Sequence, residues 1–163
     1  ISTSIAASRK IFDISEDNIK NSMKKMRLKG RLEEIKSGKL KSLIGENRLI
    51  IDGGHNINSA ISISKWAEQQ NEKVHLICGM MNDKPHREFV NQFENSVKSI
   101  TLVDIPNQEG SISKEEFKKK LGNKNIYTAA SIEESLLMNK KDENCIFLCA
   151  GSLYLAGEVL NLN

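Results

Sequence analysis

No apolar run in this 163-residue chain is long enough to cross a membrane. Its first ten residues, ISTSIAASRK, lack the basic-then-apolar order of a signal peptide. Aromatic residues make up only 5% of the chain, which argues against a stacking platform for single-stranded nucleic acid. The three cysteines, Cys78, Cys145 and Cys149, are odd in number and each lies inside an apolar run. They read as buried reduced thiols of a cytoplasmic protein, not as a disulfide framework. No histidine spacing completes a zinc site, so no metal is expected to be held here. The patterns G-x-x-x-x-G-K-[ST], G-x-G-x-x-G and G-x-S-x-G are absent. The chain therefore lacks the usual phosphate-cradling loop, dinucleotide fingerprint and hydrolase elbow.

What is present is the composition of a soluble globular protein: 39% hydrophobic, 28% charged, net charge +3. The length suits one ordinary domain with a sizeable core. The mild positive charge suits an anionic small-molecule ligand, though solvated surface lysines are the plainer explanation.

Residues 1–12 are predicted to be helical, with a weak stripe of Ile1, Ile5, Ser8 and Phe12. Ser15 is placed to cap a second helix whose first turn is acidic, with Ile19, Met23 and Met26 at helical spacing. Residues 31–35 alternate loosely and read as a strand. Residues 37–47, mostly polar with two glycines, read as a loop or hairpin turn. From about residue 48 strands and helices alternate. Strands are predicted at 48–52, 74–78, 99–103, 125–128 and 145–150. A helix over 57–70 would bury Ile57, Ala60, Ile61, Ser64 and Ala67, widened by Ile63 and Trp66. Another carries Phe89, Val90, Phe93 and Val97. Capping boxes at 113–116 and 131–134 open two further helices, and a last helix spans 153–160. This order predicts an α/β fold with a mostly parallel sheet and helices on both faces. The first strand, joined to the next by a short loop, is expected antiparallel at one edge.

Four polar groups fall at strand ends or helix starts. Asp52, His55 and Asn56 follow the strand at 49–51 through two glycines. Asp52 offers acceptors for sugar hydroxyls, and His55 can donate, accept or stack; a strand end, a turn and a helix cap explain them equally well. Lys84, in the loop after the strand at 74–78, could pair with a carboxylate or phosphate, or be solvated. Ser152, after Gly151, could present a hydroxyl and N–H groups to an anion, or cap a helix. Arg31, beside Gly30, is either a phosphate-reaching group or an exposed arginine. His75 and His86 read as structural or exposed.

Taken together, Gly30-Arg31-Leu32-Glu33, Asp52-Gly53-Gly54-His55-Asn56, Gly79-Met80-Met81-Asn82-Asp83-Lys84 and the GSLYLAGE run at 151–158 resemble four motifs of one family. It is the C-terminal domain of folylpolyglutamate synthase, with its dihydrofolate synthase relatives, in the Mur ligase superfamily. The order and spacing match from about residue 27 to 160, and the last motif is the most specific. The resemblance implies a Rossmann-like sheet and an ATP-dependent ligase that joins L-glutamate to a folate or dihydropteroate acceptor through an acyl phosphate. It implies that Arg31, Asp52 and His55 bind ATP and that Lys84 and Ser152 bind glutamate. It places the magnesium ligands, the phosphate loop and most of the folate site in an N-terminal ATPase domain of the same enzyme. Residues 1–27 are then the tail of that domain and the linker, with a hinge at about 26–30, and 28–163 the glutamate ligase domain. The chain alone is expected to hold no complete catalytic set and to be inactive, and the enzyme is expected to be a monomer in the cytoplasm.

Three positions depart from the family. Ile57 stands where it has a first-turn proline, which costs little. Gly54 stands for alanine, which is expected to loosen the turn. Pro85 follows Lys84 where an acid is common, which could move the lysine loop. Two other readings remain: a stand-alone nucleotide- or glutamate-binding module, and a Mur-type cell-wall ligase, which the GSLYL run disfavours.

Overall fold

The computed structural model describes residues 2–25, 28–122 and 125–163. Ile1 and Met26, expected in the stripes of the first two helices, and the boundary expected at 27 lie outside the described residues. Among those described, eight helices and six strands follow in the order α1 (Ser2–Ile11), α2 (Glu16–Lys25), β1 (Glu33–Ile35), α3 (Lys39–Leu43), β2 (Arg48–Asp52), α4 (Ile57–Glu68), β3 (Lys73–Cys78), α5 (His86–Asn91), β4 (Ser99–Leu102), α6 (Lys114–Leu121), β5 (Ile126–Thr128), α7 (Ile132–Met138), β6 (Cys145–Ala150) and α8 (Leu153–Leu162). No helix among them is long and apolar enough to cross a membrane.

The strands form one sheet in the order β1-β2-β6-β3-β4-β5. β1 runs antiparallel to β2, with Glu33 opposite Ile51 and Ile35 opposite Leu49. The other pairings are parallel. The expected fold class is thus the observed one, including the antiparallel edge.

Period-two alternation divides the core between the two faces. Ile50, Val74, Leu76, Cys78, Ile146, Leu148 and Ala150 meet Ala60, Ile63 and Ala67 of α4, Phe89 and Val90 of α5 and Phe117 of α6. Leu49, Ile51, Ile77, Cys145, Phe147 and Cys149 meet Leu40 of α3, Leu136 of α7 and Leu155, Ala156 and Val159 of α8. β6 has a neighbour on each side and helices over both faces, so all six of its residues are buried. Its two cysteines share one face and are free thiols, as is Cys78.

The structure corrects four local readings. Residues 37–47 are not a hairpin turn. Leu40 and Ile44, four apart, are buried and fold the segment into α3. The first strand starts at Glu33, because Leu32 has a φ of 42° that no strand accepts. The inward face of α4 holds Ala60, Ile63, Ser64 and Ala67 as expected, but Ile57 is 40% exposed at the helix start and Ile61 is only half-buried. Neither expected capping box closes. Ser113 and Ser131 accept from Glu116 and Glu134 N–H, but the Glu134 carboxylate turns back to the Ala130 N–H. The closed box is at α4, where Asn56 Oδ1 accepts from Ser59 N–H and Ser59 Oγ from Asn56 N–H.

Candidate functional site

Parallel strands carry their carboxyl ends to one edge of the sheet, and that edge opens where successive helices leave for opposite faces. β2 and β6 are neighbours, with Asp52 opposite Ala150. The helix after β2, α4, packs on one face and the helix after β6, α8, on the other. The chain segments at 53–56 and 151–152 therefore lead from one edge of the sheet to opposite faces.

Backbone groups join the two segments. The Gly54 carbonyl accepts from the Gly151 N–H at 3.0 Å, which joins the two loops. Gly151 has a φ of 115°, and a Cβ there would lie 2.8 Å from the Gly79 carbonyl oxygen and 2.9 Å from Cys78 Sγ. Only glycine lets the loop after β3 approach the loop after β6 this closely. The loops carrying His55, Lys84 and Ser152 thus meet at one residue.

Asp52 fastens a fourth segment. Its Oδ1 accepts from Gly54 N–H at 2.7 Å and its Oδ2 from Leu32 N–H at 2.9 Å. The Glu33 carboxylate accepts from Gly30 N–H at 2.6 Å, and the Gly30 carbonyl from Gly53 N–H at 2.8 Å. These bonds hold Leu32 in its left-handed conformation and set Arg31 NH1 3.6 Å from Asp52 Oδ1. The Asp52 side chain is buried, while Arg31 is half exposed, its guanidinium facing solvent over Gly53. A Cβ on Gly53 would meet Leu153 Cδ2 at 2.1 Å, so the first residue of α8 covers this turn. With both its N–H and carbonyl bonded, Gly54 does not loosen the turn, contrary to expectation.

His55 Nδ1 lies 2.9 Å from the Gly53 carbonyl oxygen. A proton on Nδ1 satisfies that contact and leaves Nε2 to face outward as an acceptor. Ser152 is buried at 2% exposure and caps α8, its Oγ accepting from Tyr154 N–H at 3.1 Å. Lys84 sits on a loop braced by its neighbour: Asn82 N–H donates to the Gly110 carbonyl at 2.8 Å, Ile112 N–H to the Met80 carbonyl at 3.1 Å, and His86 Nε2 lies 3.0 Å from the Met81 carbonyl oxygen. Pro85 forms the N-terminal boundary of α5 and leaves the lysine in this braced loop. The Lys84 ammonium donates to Asp83 Oδ2 at 2.7 Å, and this bond holds the Asp83 carboxyl below the usual carboxylate range.

All five residues singled out from sequence thus stand at the carboxyl edge. Arg31, Asp52 and His55 gather on the β2 side, Ser152 beside them through Gly54 and Gly151, and Lys84 across the Gly151 junction. No hydrogen bond joins Lys84 to Ser152 among the described residues. Gly151 permits a close backbone approach, as its residue type suggests, but sequence reasoning did not foresee that Gly54 and Gly79 are what it meets, nor the carboxylate neighbours of two rim lysines, Asp83 for Lys84 and Asp104 for Lys114. Burial pushes the Asp104 carboxyl up, but hydrogen bonds from the Lys114 N–H and ammonium outweigh it and hold it low. No group of three or more His, Cys, Asp or Glu side chains among the described residues is placed to hold a metal ion. The carboxylates of this edge do not fit a magnesium site by themselves.

This architecture defines an open-sheet α/β domain whose candidate site residues lie at the carboxyl edge of the sheet. Residues 30–153 match the family described as Mur ligase, glutamate ligase domain, and the chain belongs to that family. The dihydrofolate synthase/folylpolyglutamate synthase of Buchnera aphidicola is 24% identical over 169 residues, covering 98% of this chain and 38% of that protein. The bifunctional folylpolyglutamate synthase/dihydrofolate synthase of Yersinia pestis shares the fold with a TM-score of 0.74 at 17% identity, over 93% of this chain and 35% of its own. FolC of E. coli, solved with ADP and without folate substrate, aligns with a TM-score of 0.73 at 21% identity, over 98% of this chain and 37% of its own. The chain thus spans little more than a third of the relatives it matches.

Proposed function

We propose that the chain is the C-terminal domain of an ATP-dependent ligase that adds L-glutamate to a folate or dihydropteroate acceptor. Residues 28–163 are the glutamate ligase domain, and 1–27 belong to the end of an ATPase domain and its linker. In the reaction, an acceptor carboxylate oxygen attacks the terminal phosphorus of ATP, the bond to ADP breaks, and an acyl phosphate forms. The glutamate amine, having lost its proton, attacks the acyl carbon, and inorganic phosphate leaves with the electron pair of the C–O bond. Phosphorylation turns a poor leaving oxygen into a good one.

This chain's part is to bind and orient. Arg31 carries a forked donor toward phosphate oxygens. Asp52 binds the ribose with the lone pairs left after its two backbone bonds, and His55 lies beside the nucleotide. Lys84 pairs with a glutamate carboxylate, and Ser152 aligns the start of α8 toward the same group. The sequence carries no phosphate-cradling loop, and no carboxylate set among the described residues fits magnesium; both belong to the partner domain, and these 163 residues alone give no turnover. Magnesium, once bound there, would neutralise the developing phosphate charge.

The supporting observation is the Gly151 junction, where the loops that carry His55, Lys84 and Ser152 touch at the carboxyl edge of the sheet in a chain of this family. The test is to supply the complete protein with ATP, L-glutamate and either dihydropteroate or tetrahydrofolate. The expected result is one glutamyl residue gained per ADP released with at least one acceptor. ADP release that never yields a glutamylated product would overturn the proposal.

A further inference from the structure

The cations at the carboxyl edge each have an acid nearby, but the pairs differ in how firmly the acid is held. Asp52, opposite Arg31, is 7% exposed and accepts two backbone N–H groups. Asp104, opposite Lys114, also accepts the Lys114 backbone N–H. Glu116 meets Lys120 at 3.2 Å one helical turn away. Asp83 stands apart. It is next to Lys84 in sequence, its side chain is 71% exposed, and among the described residues Lys84 is its one side-chain hydrogen-bond partner. The Lys84 side chain is only 28% exposed and lines a recess of about 280 Å³ with Pro85, His86, Arg87, Glu88 and Lys120. A sheltered ammonium is therefore occupied by an exposed carboxylate that has no other side-chain partner among the described residues.

We propose that Asp83 is an internal stand-in for the substrate carboxylate: it holds Lys84 in the empty site and must give the lysine up when glutamate arrives. This rests on the reading of Lys84 as a glutamate-binding residue. Asp83 is therefore a positioning residue that sets the affinity for glutamate by competition and keeps the ammonium paired between turnovers. An ion pair between exposed neighbours is weak and breaks readily, which suits an exchangeable partner. A carboxylate on the ligand offers the lysine the same charge-assisted bond. The exchange moves no covalent bond; the lysine keeps its proton and changes its acceptor.

Removing the competitor then strengthens binding, whereas removing a residue that merely shapes the loop weakens it. In the complete protein, Asp83→Asn lowers the apparent KM for glutamate about two- to fivefold, the range expected for an exposed pair. The apparent KM for ATP stays where it was, and Asp83→Glu, which restores a carboxylate, returns the glutamate KM toward the parent value. Lys84→Ala is the control and raises the glutamate KM. If Lys84→Ala raises it while Asp83→Asn leaves it unchanged or raises it too, the stand-in role is overturned and the glutamate reading of Lys84 survives. If Lys84→Ala does not move the glutamate KM, that reading fails and the inference fails with it.

Discussion

At the amino ends of the strands, charges close on one another. Arg48 at the start of β2 meets Glu34 and Glu72, each at 3.1 Å. His75 is buried in β3, with Nδ1 2.7 Å from Ser99 Oγ and its ring stacked on Phe147. Its Nε2 lies 2.9 Å from Asp142 Oδ2. Lys98 meets the same carboxylate oxygen at 2.6 Å. Buried Asn47 ties the region to β6, accepting from Cys145 N–H and donating to the Asp142 carbonyl. At the carboxyl ends, backbone groups and glycine contacts do the fastening, and Arg31, His55 and Lys84 stay partly exposed. One sheet thus has a closed end and an open end. At the open end Asp52, Glu33 and Ser152 bond backbone N–H groups and leave the cations partly exposed, whereas at the closed end the side chains engage one another.

The sharpest break of this contrast is at the open end. Gly151→Ala forces a Cβ to 2.8 Å from the Gly79 carbonyl oxygen at a φ of 115°. A loss of about 3 kcal/mol is expected, read as a lowered urea midpoint. At the closed end, Asn47→Ala leaves the Cys145 N–H and Asp142 carbonyl without their partner. About 2 kcal/mol is expected from the same measurement.

A smaller effect is the pH dependence. Burial lowers the pKa of His75 below the ordinary 6.5, against the pull of Asp142 and aided by Lys98 and Lys73. Burial also lowers that of His86, opposed by its bond to the Met81 carbonyl and by Glu116 and Glu88 and aided by Lys120. The unfolded chain therefore binds more protons than the folded one below about pH 6.5. Stability from both histidines is fully present above that pH and is lost as the pH falls through their folded-state values. The urea midpoint should decline between about pH 7.5 and about pH 5.5, and His75→Gln should flatten that decline.

Much of this was legible in the residues. Alternating apolar runs marked every strand, and the all-apolar 145–150 run announced its burial on both faces. Motifs at 30–33, 52–56, 79–84 and 151–158 pointed to one edge because parallel strands must end there. Other features depend on contacts distant in sequence. That Gly151 must be glycine follows from the Gly79 carbonyl, 72 positions away in the chain but 2.8 Å from its would-be Cβ. That Asp52 sets Arg31 follows from a bond to Leu32 across 20 positions. Ile57 alone leaves the expected face of α4 for solvent because it follows the helix's N-terminal box directly, and α3 was hidden because two buried residues suffice for so short a helix.

The most direct test of the contrast compares one lysine from each end in the complete protein. Lys84 and Lys98 each bond an acid, at 2.7 Å and 2.6 Å. If the open end is the binding end, Lys84→Ala raises the apparent KM for glutamate about tenfold, the loss of one charge-assisted bond, and Lys98→Ala leaves it unchanged. Equal effects of the two substitutions, or an effect of Lys98→Ala alone, would contradict the account.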